Sequence, residues 1–394
     1  MTTTKNNEHK KLKVPNLRFP EFQGEWENCK LGDYGKVVTG NTPPTKDVEN
    51  YENGTFLWAS PADLGTIKSI SETKTMLSAK GFSKTRALPK GSVLVTCIGS
   101  TIGKMGMATK EMSTNQQINS IVVNDNSDNE FVYYAIQSAF PRYLSSIAVQ
   151  AVPIISKSAF ELLPNQRPCL QEQKKIGKML SLLDERIATQ NKIIEDLKKL
   201  KCAIIEKVYS EIQGKEYSYG QLFDVVNERN KQMEYSNILS ANQEKGMVNR
   251  DDLNLDIQFE RSNINTYKIV KKGDYVIHLR SFQGGFAFSD KLGVCSPAYT
   301  ILRPNSILEY GYLSNYFTSQ RFIKSLALVT YGIRDGRSIN VEEWLRMKIT
   351  IPPKEHQQYI VKVIGTFERK IEDEEAYAAQ LSKQKQYLLR QMFI

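Results

Sequence analysis

Two groups of loop residues carry side chains that could hydrogen-bond the edges of nucleic-acid bases or the phosphate backbone. Arginine can form two parallel bonds to guanine, glutamine can do the same to adenine, and lysine or a hydroxyl can bind phosphate. The first group is Lys84, Arg86, Ser100, Thr101, Lys104, Gln116 and Gln117. The second group is Arg280, Ser281, Gln283, Arg334 and Arg337. The alternative interpretation is that these are ordinary solvated loop residues, and Arg334 could instead pair with Asp335 or Glu342.

Residues for catalysis or metal binding do not form a recognisable pattern in the sequence. There is no dinucleotide-binding glycine loop, no phosphate-loop lysine and no serine nucleophile elbow. The histidines are His9, His278 and His356, in three different segments. The strand position of His278 favours a core histidine over a metal ligand. The glycine-rich stretch 99–106 lacks phosphate-loop spacing, so we interpret it as a connection between strands. We therefore expect a chain that is not an enzyme and that holds no cofactor or metal itself.

The composition limits the class of protein. The 394 residues include 53 Lys+Arg against 43 Asp+Glu, a net charge of +10. This length suits two or three domains, and the basic surplus suits nucleic acid or an anionic membrane surface without deciding between them. The five cysteines are scattered without CxxC spacing, which fits a reducing compartment better than a disulfide framework or zinc site. The polar N-terminus and the lack of a long apolar run predict a soluble, cytoplasmic protein.

The elements that would position these loops alternate between β-rich and helical segments. Short β-rich runs between glycine, proline and asparagine turns predict strands at 56–60, 92–99, 118–123, 274–279 and 298–303. Helical patterns are predicted at 130–140, ending before Pro141, and at 310–327. Two much longer helices are predicted at 168–212 and 354–393.

Both long helices have apolar residues at alternating four- and three-residue spacing, which is typical of a coiled coil. The first seam is Ile176, Leu180, Leu183, Ile187, Ile194, Leu197, Ile204 and Val208. The second seam is Ile360, Ile364, Phe367, Ile371, Leu381, Leu388 and Met392. Gln190 and Lys201 interrupt the first seam, and Glu374 and Lys385 interrupt the second. These polar residues could fix the helix register, or they could face a partner helix or solvent.

The second half of the sequence repeats the first. Lys90-Gly91 matches Lys272-Gly273, the strand 118–123 matches 298–303, and 155–160 matches 339–344. An offset of 184 residues superimposes the two long helices, including their polar interruptions. The sequence therefore predicts an α+β protein built by tandem duplication. Its segments are a disordered tail (1–14), a first globule (15–165), a central long helix (166–213), a second globule (214–350) and a C-terminal long helix (351–394).

With the duplication established, the chain resembles the specificity subunits of Type I restriction–modification systems over nearly its whole length. The resemblance is carried by LRFPEFQGEWENCKLGDY (17–34), by the turns KGSVLV (90–95) and KGDYVI (272–277), and by the globule–helix order. It is also carried by a proline followed five residues later by glutamine at each helix start, Pro168/Gln173 and Pro352/Gln357. The second copy departs from the family pattern, because His356 replaces a glutamate.

The resemblance implies a non-catalytic, DNA-binding subunit. Each globule would be a target-recognition domain that reads one half of an asymmetric bipartite sequence in double-stranded DNA. The two helices would pack as an antiparallel coiled coil, relate the globules by a pseudo-twofold axis and set the gap between half-sites. Two modification (methyltransferase) subunits, carrying S-adenosylmethionine, would dock on the chain, with restriction subunits in the full complex. The competing hypothesis is a duplicated scaffold whose coiled coil joins two protein-binding heads without a role at DNA.

Overall fold

The computed structural model describes residues 13–146, 153–242, 245–252, 261–278, 285–331 and 338–394. The predicted disordered tail thus lies almost wholly outside the described residues. The chain divides into two compact units. Unit 1 comprises the described residues up to Asn191 together with Ala376–Ile394, and unit 2 comprises those of Lys192–Glu375. Both units combine small sheets with helices, in agreement with the predicted α+β class.

Within its described residues, unit 1 contains three small sheets, the first part of the central long helix and the last part of the C-terminal long helix. Its strands are β1 (Glu27–Lys30), β2 (Gly35–Thr39), β3 (Phe56–Ala59), β4 (Ser69–Ile70), β5 (Thr75–Leu77), β6 (Val93–Thr96), β7 (Met105–Ala108), β8 (Met112–Thr114), β9 (Ile118–Val123) and β10 (Pro164–Arg167). Its helices are α1 (Ala79–Ser83), α2 (Asn129–Ser146), α3 (Lys157–Leu162) and the first part of α4 (Leu170–Ser210). The main sheet has the order β2-β9-β6-β7-β4, beside a three-stranded sheet β5-β3-β8.

Unit 2 repeats this plan with fewer strands in its main sheet. Its strands are β11 (Lys215–Ser218), β12 (Phe223–Val226), β13 (Leu239–Asn242), β14 (Gly246–Asn249), β15 (Lys268–Val270), β16 (Tyr275–Ile277), β17 (Phe286–Phe288), β18 (Gly293–Cys295), β19 (Thr300–Pro304), β20 (Thr330–Tyr331), β21 (Ser338–Ile339) and β22 (Lys348–Ile351). Its helices are α5 (Tyr219–Leu222), α6 (Gln320–Ser325), α7 (Val341–Arg346) and the first part of α8 (Lys354–Met392), with the second part of α4. The main sheet has the order β12-β19-β16-β17.

The two sheets place corresponding strands in the same order, which shows the duplication in three dimensions. β1 pairs antiparallel with β10, and β11 pairs antiparallel with β22. From α3 and α7 onward the elements begin at positions that differ by the single offset of 184, since Lys157, Pro164 and Leu170 correspond to Val341, Lys348 and Lys354. The glycines of the two matched turns, Gly91 and Gly273, both have positive φ, at 85° and 95°. Glycine tolerates this conformation without the penalty of a Cβ atom.

The match predicted between strands 118–123 and 298–303 is wrong by one residue. Ile121 pairs with both Val37 and Val93 in unit 1. Leu302 takes the same place in unit 2, where it pairs with Val225 and Tyr275. The true offset is therefore 181 rather than 180. A slip of one residue would turn every side chain to the opposite face of the sheet, so cross-strand bonding decides the register.

Two helix predictions also need correction. The helix predicted to end before Pro141 continues to Ser146. Proline removes one helical hydrogen bond, but Phe140 and Tyr143 on either side of it are buried in the core of unit 1, and that packing outweighs the local cost. The helix predicted over 310–327 is broken, and only Gln320–Ser325 is α-helical. Ser319 adopts an extended backbone and caps that helix by accepting a bond from the Phe322 N–H.

The recurring proline–glutamine signature has a structural cause. Gln173 donates to the Pro168 carbonyl at 2.9 Å and accepts a bond from the Asp128 N–H at 3.1 Å. Gln357 donates to the Pro352 carbonyl at 3.0 Å and accepts from the Glu309 N–H at 2.8 Å. Both glutamines are buried, with 1 % of each residue exposed. Each glutamine therefore satisfies backbone groups at a helix start and ties that helix to its own globule.

Within each unit the two long helices are in contact, and they run antiparallel. In unit 2, Lys198 pairs with Glu375 at 2.6 Å and Lys201 pairs with Glu368 at 2.7 Å. In unit 1, Lys385 pairs with Asp184 at 2.6 Å. Adding 184 to Asp184 and Lys201 gives Glu368 and Lys385, so one ion pair occurs twice. Both lysines that interrupt the predicted seams thus bind a carboxylate on the opposite helix.

Most of the predicted seam faces inward. Ile176, Leu180, Ile194, Ile360, Ile364, Ile371, Leu381 and Met392 are buried. Leu183, Ile187, Leu197, Ile204, Val208, Phe367 and Leu388 are half-buried. Near the end of α4 the deepest side chains are instead Ile205 and Tyr209, one position beyond Ile204 and Val208. Both side chains are part of the hydrophobic core of unit 2.

Candidate nucleic-acid interface

Asn41 connects three loops at one end of the main sheet of unit 1, where β2 and β6 end and β9 begins. We call this region the edge of unit 1. Its side-chain amide donates to the Lys84 carbonyl at 2.9 Å and accepts from the Arg86 N–H at 3.0 Å. Its backbone N–H donates to the Thr114 carbonyl at 2.9 Å. The indole of Trp58 donates to the Asn41 carbonyl at 3.1 Å. The loops that carry the candidate residues around 86 and 116 are therefore held side by side.

Arg86, Gln116 and Gln117 lie on this fastened edge. The exposed Gln116 accepts a bond from the Thr42 hydroxyl at 2.5 Å. Gln117 is half-buried, and its carbonyl oxygen accepts from the Asn115 amide at 3.1 Å. Arg86 is exposed and donates to the Thr39 carbonyl at 2.6 Å. Because Arg86 and Gln116 are each held by a hydrogen bond and are exposed, they form a preorganised polar edge of guanidinium and amide groups.

The turn between β6 and β7 brings Ser100 and Thr101 beside the same edge. Gly99 and Gly103 have positive φ, at 94° and 91°, and the Ile102 N–H bonds the Gly99 carbonyl at 3.1 Å. A Cβ on Gly99 would lie 3.6 Å from the Gln117 amide nitrogen, so the turn adjoins that side chain. The connection predicted for the glycine-rich stretch 99–106 is confirmed, since β6 and β7 pair antiparallel. Lys104 follows the turn, and its side chain runs against Gly65 with its end exposed.

Lys84 is occupied within the protein. Its ammonium binds the Asp47 carboxylate at 2.9 Å and the Asn50 side-chain oxygen at 2.8 Å. Hydrogen bonds from Lys84 and Lys80 hold the pKa of Asp47 below its ordinary value. A lysine in this arrangement orders the loop around it rather than reaching outward, so Lys84 differs from the other candidates of unit 1.

The candidates of the second half, namely Arg280, Ser281, Gln283, Arg334 and Arg337, all lie outside the described residues. The described strands that flank them are β16 and β17 on one side, and β20 and β21 on the other. Both pairs are antiparallel. These five residues stay a prediction.

The residue that sequence reasoning missed is Asn41. Its value comes from contacts with segments more than 40 residues away, and no local pattern marks it. Thr42 likewise stands out in the sequence only as part of a proline-containing loop. A weak signal exists in the polar Asn-Thr pair at the end of an otherwise β-rich segment.

Potential metal-ligating side chains are dispersed in the part of the chain that the structure describes. There, no three His, Cys, Asp or Glu side chains are grouped to hold a metal ion. Burial lowers the pKa of His278, in line with a partly buried histidine. Burial raises the pKa of the Cys97 thiol to about 12, which keeps it protonated and unreactive. Of the helices described, none is both long and apolar enough to cross a membrane.

Comparisons with known proteins agree with the duplicated architecture. The family model of the Type I restriction modification DNA specificity domain matches residues 23–199 and, a second time, 214–383. The MjaIX specificity subunit of Methanocaldococcus jannaschii is 27 % identical over 209 residues, which cover 51 % of this chain and 48 % of that protein. The EcoR124I/EcoR124II specificity subunit of Escherichia coli is 26 % identical over 209 residues, covering 52 % and 48 %. The chain thus spans about half the length of these curated relatives.

Solved structures extend the likeness to the whole fold. The S subunit of a Type I restriction–modification system from M. genitalium covers 97 % of this chain and 99 % of its own, with a TM-score of 0.59 and 15 % identity. A structure described as showing complex assembly and conformational transition of the Type I restriction–modification system covers 92 % and 96 %, with a TM-score of 0.57 and 16 % identity. At such identities the likeness concerns the fold.

Proposed function

Because the chain belongs to the Type I restriction–modification DNA specificity domain family, we propose that it is the sequence-reading subunit of such a complex. Each unit recognises one half of an asymmetric, bipartite DNA target. The observation that carries this proposal is the contrast between a repeated frame and an unrepeated edge. The strand order, turn glycines and helix-start glutamines recur, whereas the exposed side chains at the sheet edge do not. Two units with the same scaffold but different exposed side chains are suited to recognise two different half-sites.

The proposal includes partners that supply the chemistry. Two methyltransferase subunits carry S-adenosylmethionine and methylate adenine, and restriction subunits join them in a full complex in the cytoplasm. The long helices space the half-sites and provide docking surface for the methyltransferase subunits. This chain contributes recognition and no catalytic group.

The test uses the complex formed by this chain with the methyltransferase subunits that copurify from its native host. We expect duplex affinity to fall steeply with rising salt, because cationic side chains displace counterions from phosphates. Mapping methylated adenines in cells with and without the chain should give one split motif that depends on it. Salt-insensitive binding to protein partners, with no duplex binding by the complex, would instead identify a scaffold.

A matched pair of variants tests the edge of unit 1. Arg86→Ala removes a guanidinium at the edge, whereas Lys90→Ala removes an exposed cation at the opposite end of β6. We expect Arg86→Ala to lower methylation of the motif by about 5- to 150-fold, the range for one lost base contact, and Lys90→Ala to leave it near wild type. Equal effects of the two substitutions would contradict a localised reading edge.

A further inference from the structure

The hydrogen-bond register of the sheets allows the reading edge of unit 1 to be transferred to unit 2 position by position. Val93 lies two residues after Gly91 and pairs with Ile121. Tyr275 lies two residues after Gly273 and pairs with Leu302. The superposition therefore rests on backbone pairing rather than on sequence similarity, and it fixes which residues of unit 2 occupy the edge.

Arg86 and Asn41 of unit 1 correspond to two cations in unit 2. Arg86 precedes Gly91 by five residues, as Lys268 precedes Gly273. Asn41 follows the β2 residue Val37 by four, as Arg229 follows the β12 residue Val225. The local contacts agree with this count. The Arg86 N–H bonds the Asn41 side chain, and Arg229 and Lys268 form an antiparallel bridge.

The glutamines of unit 1 have no counterpart in unit 2. Gln116 and Gln117 precede Ile121 by five and four residues, and the same positions before Leu302 hold Pro297 and Ala298. The loop that offers two amides in one unit therefore offers none in the other. Of the four unit 2 residues matched here, namely Arg229, Lys268, Pro297 and Ala298, only the two cations carry a polar side chain.

These cations are placed to meet an anion or an acceptor. Lys268 is half-buried, and its ammonium donates to the Tyr299 carbonyl at 2.6 Å, which fixes the side chain. Burial, with a smaller contribution from the charge of Arg229, lowers the pKa of Lys268. Arg229 is exposed. Among the described residues, neither cation pairs with a carboxylate. The adjacent Glu228 is engaged elsewhere, with Lys271 at 3.1 Å.

We propose that Arg229 is a specificity-determining residue of unit 2 that reads a guanine through its major-groove edge, with Lys268 as the cation that holds the neighbouring phosphate. Arginine presents two parallel donors that match guanine O6 and N7, and a lysine fixed by one bond can give its remaining donors to a phosphate. Unit 1, with the exposed Gln116, suits an adenine at the equivalent place. The inference rests on the proposed function and assigns the chemistry of its two half-sites.

The experiment maps methylated adenines and methylation rates for complexes of the full chain with its methyltransferase subunits. Arg229→Gln should lower the rate at the wild-type motif by about 5- to 150-fold, and it should relax or change a single guanine position in one half-site. Arg229→Lys keeps the charge but loses the paired donors, so it should assemble normally and still lose discrimination at that position. Lys268→Met should weaken binding evenly across sequences and reduce the salt slope by about one.

Lys272→Met is the matched control, since it removes an exposed cation of the same unit at the other end of β16. It should leave both the motif and the rate near wild type. An unchanged motif and rate in both Arg229 variants would overturn the inference, as would a changed base in the half-site that Arg86→Ala affects. Failure of the proposed function would look different, because the wild-type complex itself would then direct no bipartite methylation.

Discussion

The side chains around the long helices differ between the two units, although the main sheets have the same strand order. In unit 1, Tyr134 donates to the Asp184 carboxylate at 2.6 Å, and Asp184 also binds Lys385. Lys68 reaches Glu130 at 2.7 Å and Ser181 at 2.9 Å from the same side. The junction of α2 with the helices is therefore a polar network with little exposure, in which each charge has a partner.

In unit 2, α4 joins an aromatic core through Tyr209. Tyr219 stacks on Trp344 with ring centroids 4.2 Å apart, and Phe286 lies 5.0 Å from the same indole. Phe317 and Phe322 add a further pair at 4.6 Å. The hydroxyl of Tyr209 on α4 donates to the Tyr312 carbonyl within this cluster. Strand order and the helix-start glutamines are therefore common to both units, whereas the side chains packed around the long helices differ.

Truncation of the aromatic cluster should give the largest effect. Trp344→Ala removes a fully buried indole, and Phe160→Ala removes the side chain at the equivalent position of unit 1. Each should lower the free energy of unfolding by about 3–5 kcal/mol, with Trp344 at the upper end because of its additional ring contacts. Urea unfolding combined with hydrogen exchange assigns the loss to a unit. Leu328→Ala, at a side chain 76 % exposed, is the control.

The second-largest difference between the units is expected at the buried ion pair at the start of α4, which has no equivalent among the described residues at the start of α8. Glu172 is fully buried and binds Arg18 through two bonds of 2.8 and 2.7 Å, whereas the equivalent His356 of α8 is exposed. Arg18→Met leaves a buried carboxylate without its partner and should cost about 3 kcal/mol, measured by chemical unfolding. His356→Ala should change stability by less than about 0.5 kcal/mol. Recovery in the double variant Arg18→Met/Glu172→Leu would show that the unpaired charge causes the loss.

The helix-start glutamines should respond alike, since both units use them in the same way. Gln173→Leu and Gln357→Leu each leave buried backbone groups without partners, which costs about 2 kcal/mol. Hydrogen exchange should speed up at the Asp128 amide in one variant and at the Glu309 amide in the other. A loss of stability in only one variant would show that the same geometry contributes differently to the free energy of unfolding in the two units.

The duplicated ion pair should give the smallest and most unequal effects. Lys385 and Asp184 are 17 % and 16 % exposed, against 24 % and 41 % for Lys201 and Glu368. Lys385→Met should therefore cost about 1–2 kcal/mol, and Lys201→Met no more than about 1 kcal/mol. Thermal unfolding at low and high salt checks the difference, because the more exposed pair is screened more strongly.

Features that depend on local periodicity and on repetition can be predicted from the amino-acid sequence. The predicted helix bounds 168–212 and 354–393 lie within two residues of those of α4 and α8, because a heptad pattern sustained over many turns leaves little alternative. The turns at Gly91 and Gly273 and the helix-start glutamines are likewise visible as repeated motifs. Of the candidate edge in unit 1, the presence of Arg86, Gln116 and Gln117 in exposed or half-exposed loops could be anticipated from their residue types and turn context.

Features that depend on contacts between distant segments became visible only in the tertiary structure. It shifted the match of β9 with β19 by one residue, because cross-strand bonds fix register and sequence similarity does not. It carried α2 through Pro141, since burial of Phe140 and Tyr143 outweighs one lost backbone bond. In the structure, Lys84 forms an ion pair with Asp47 and does not point outward. Asn41 connects the loops of the edge through hydrogen bonds to residues more than 40 positions away, and local sequence carries no signal of such distant partners.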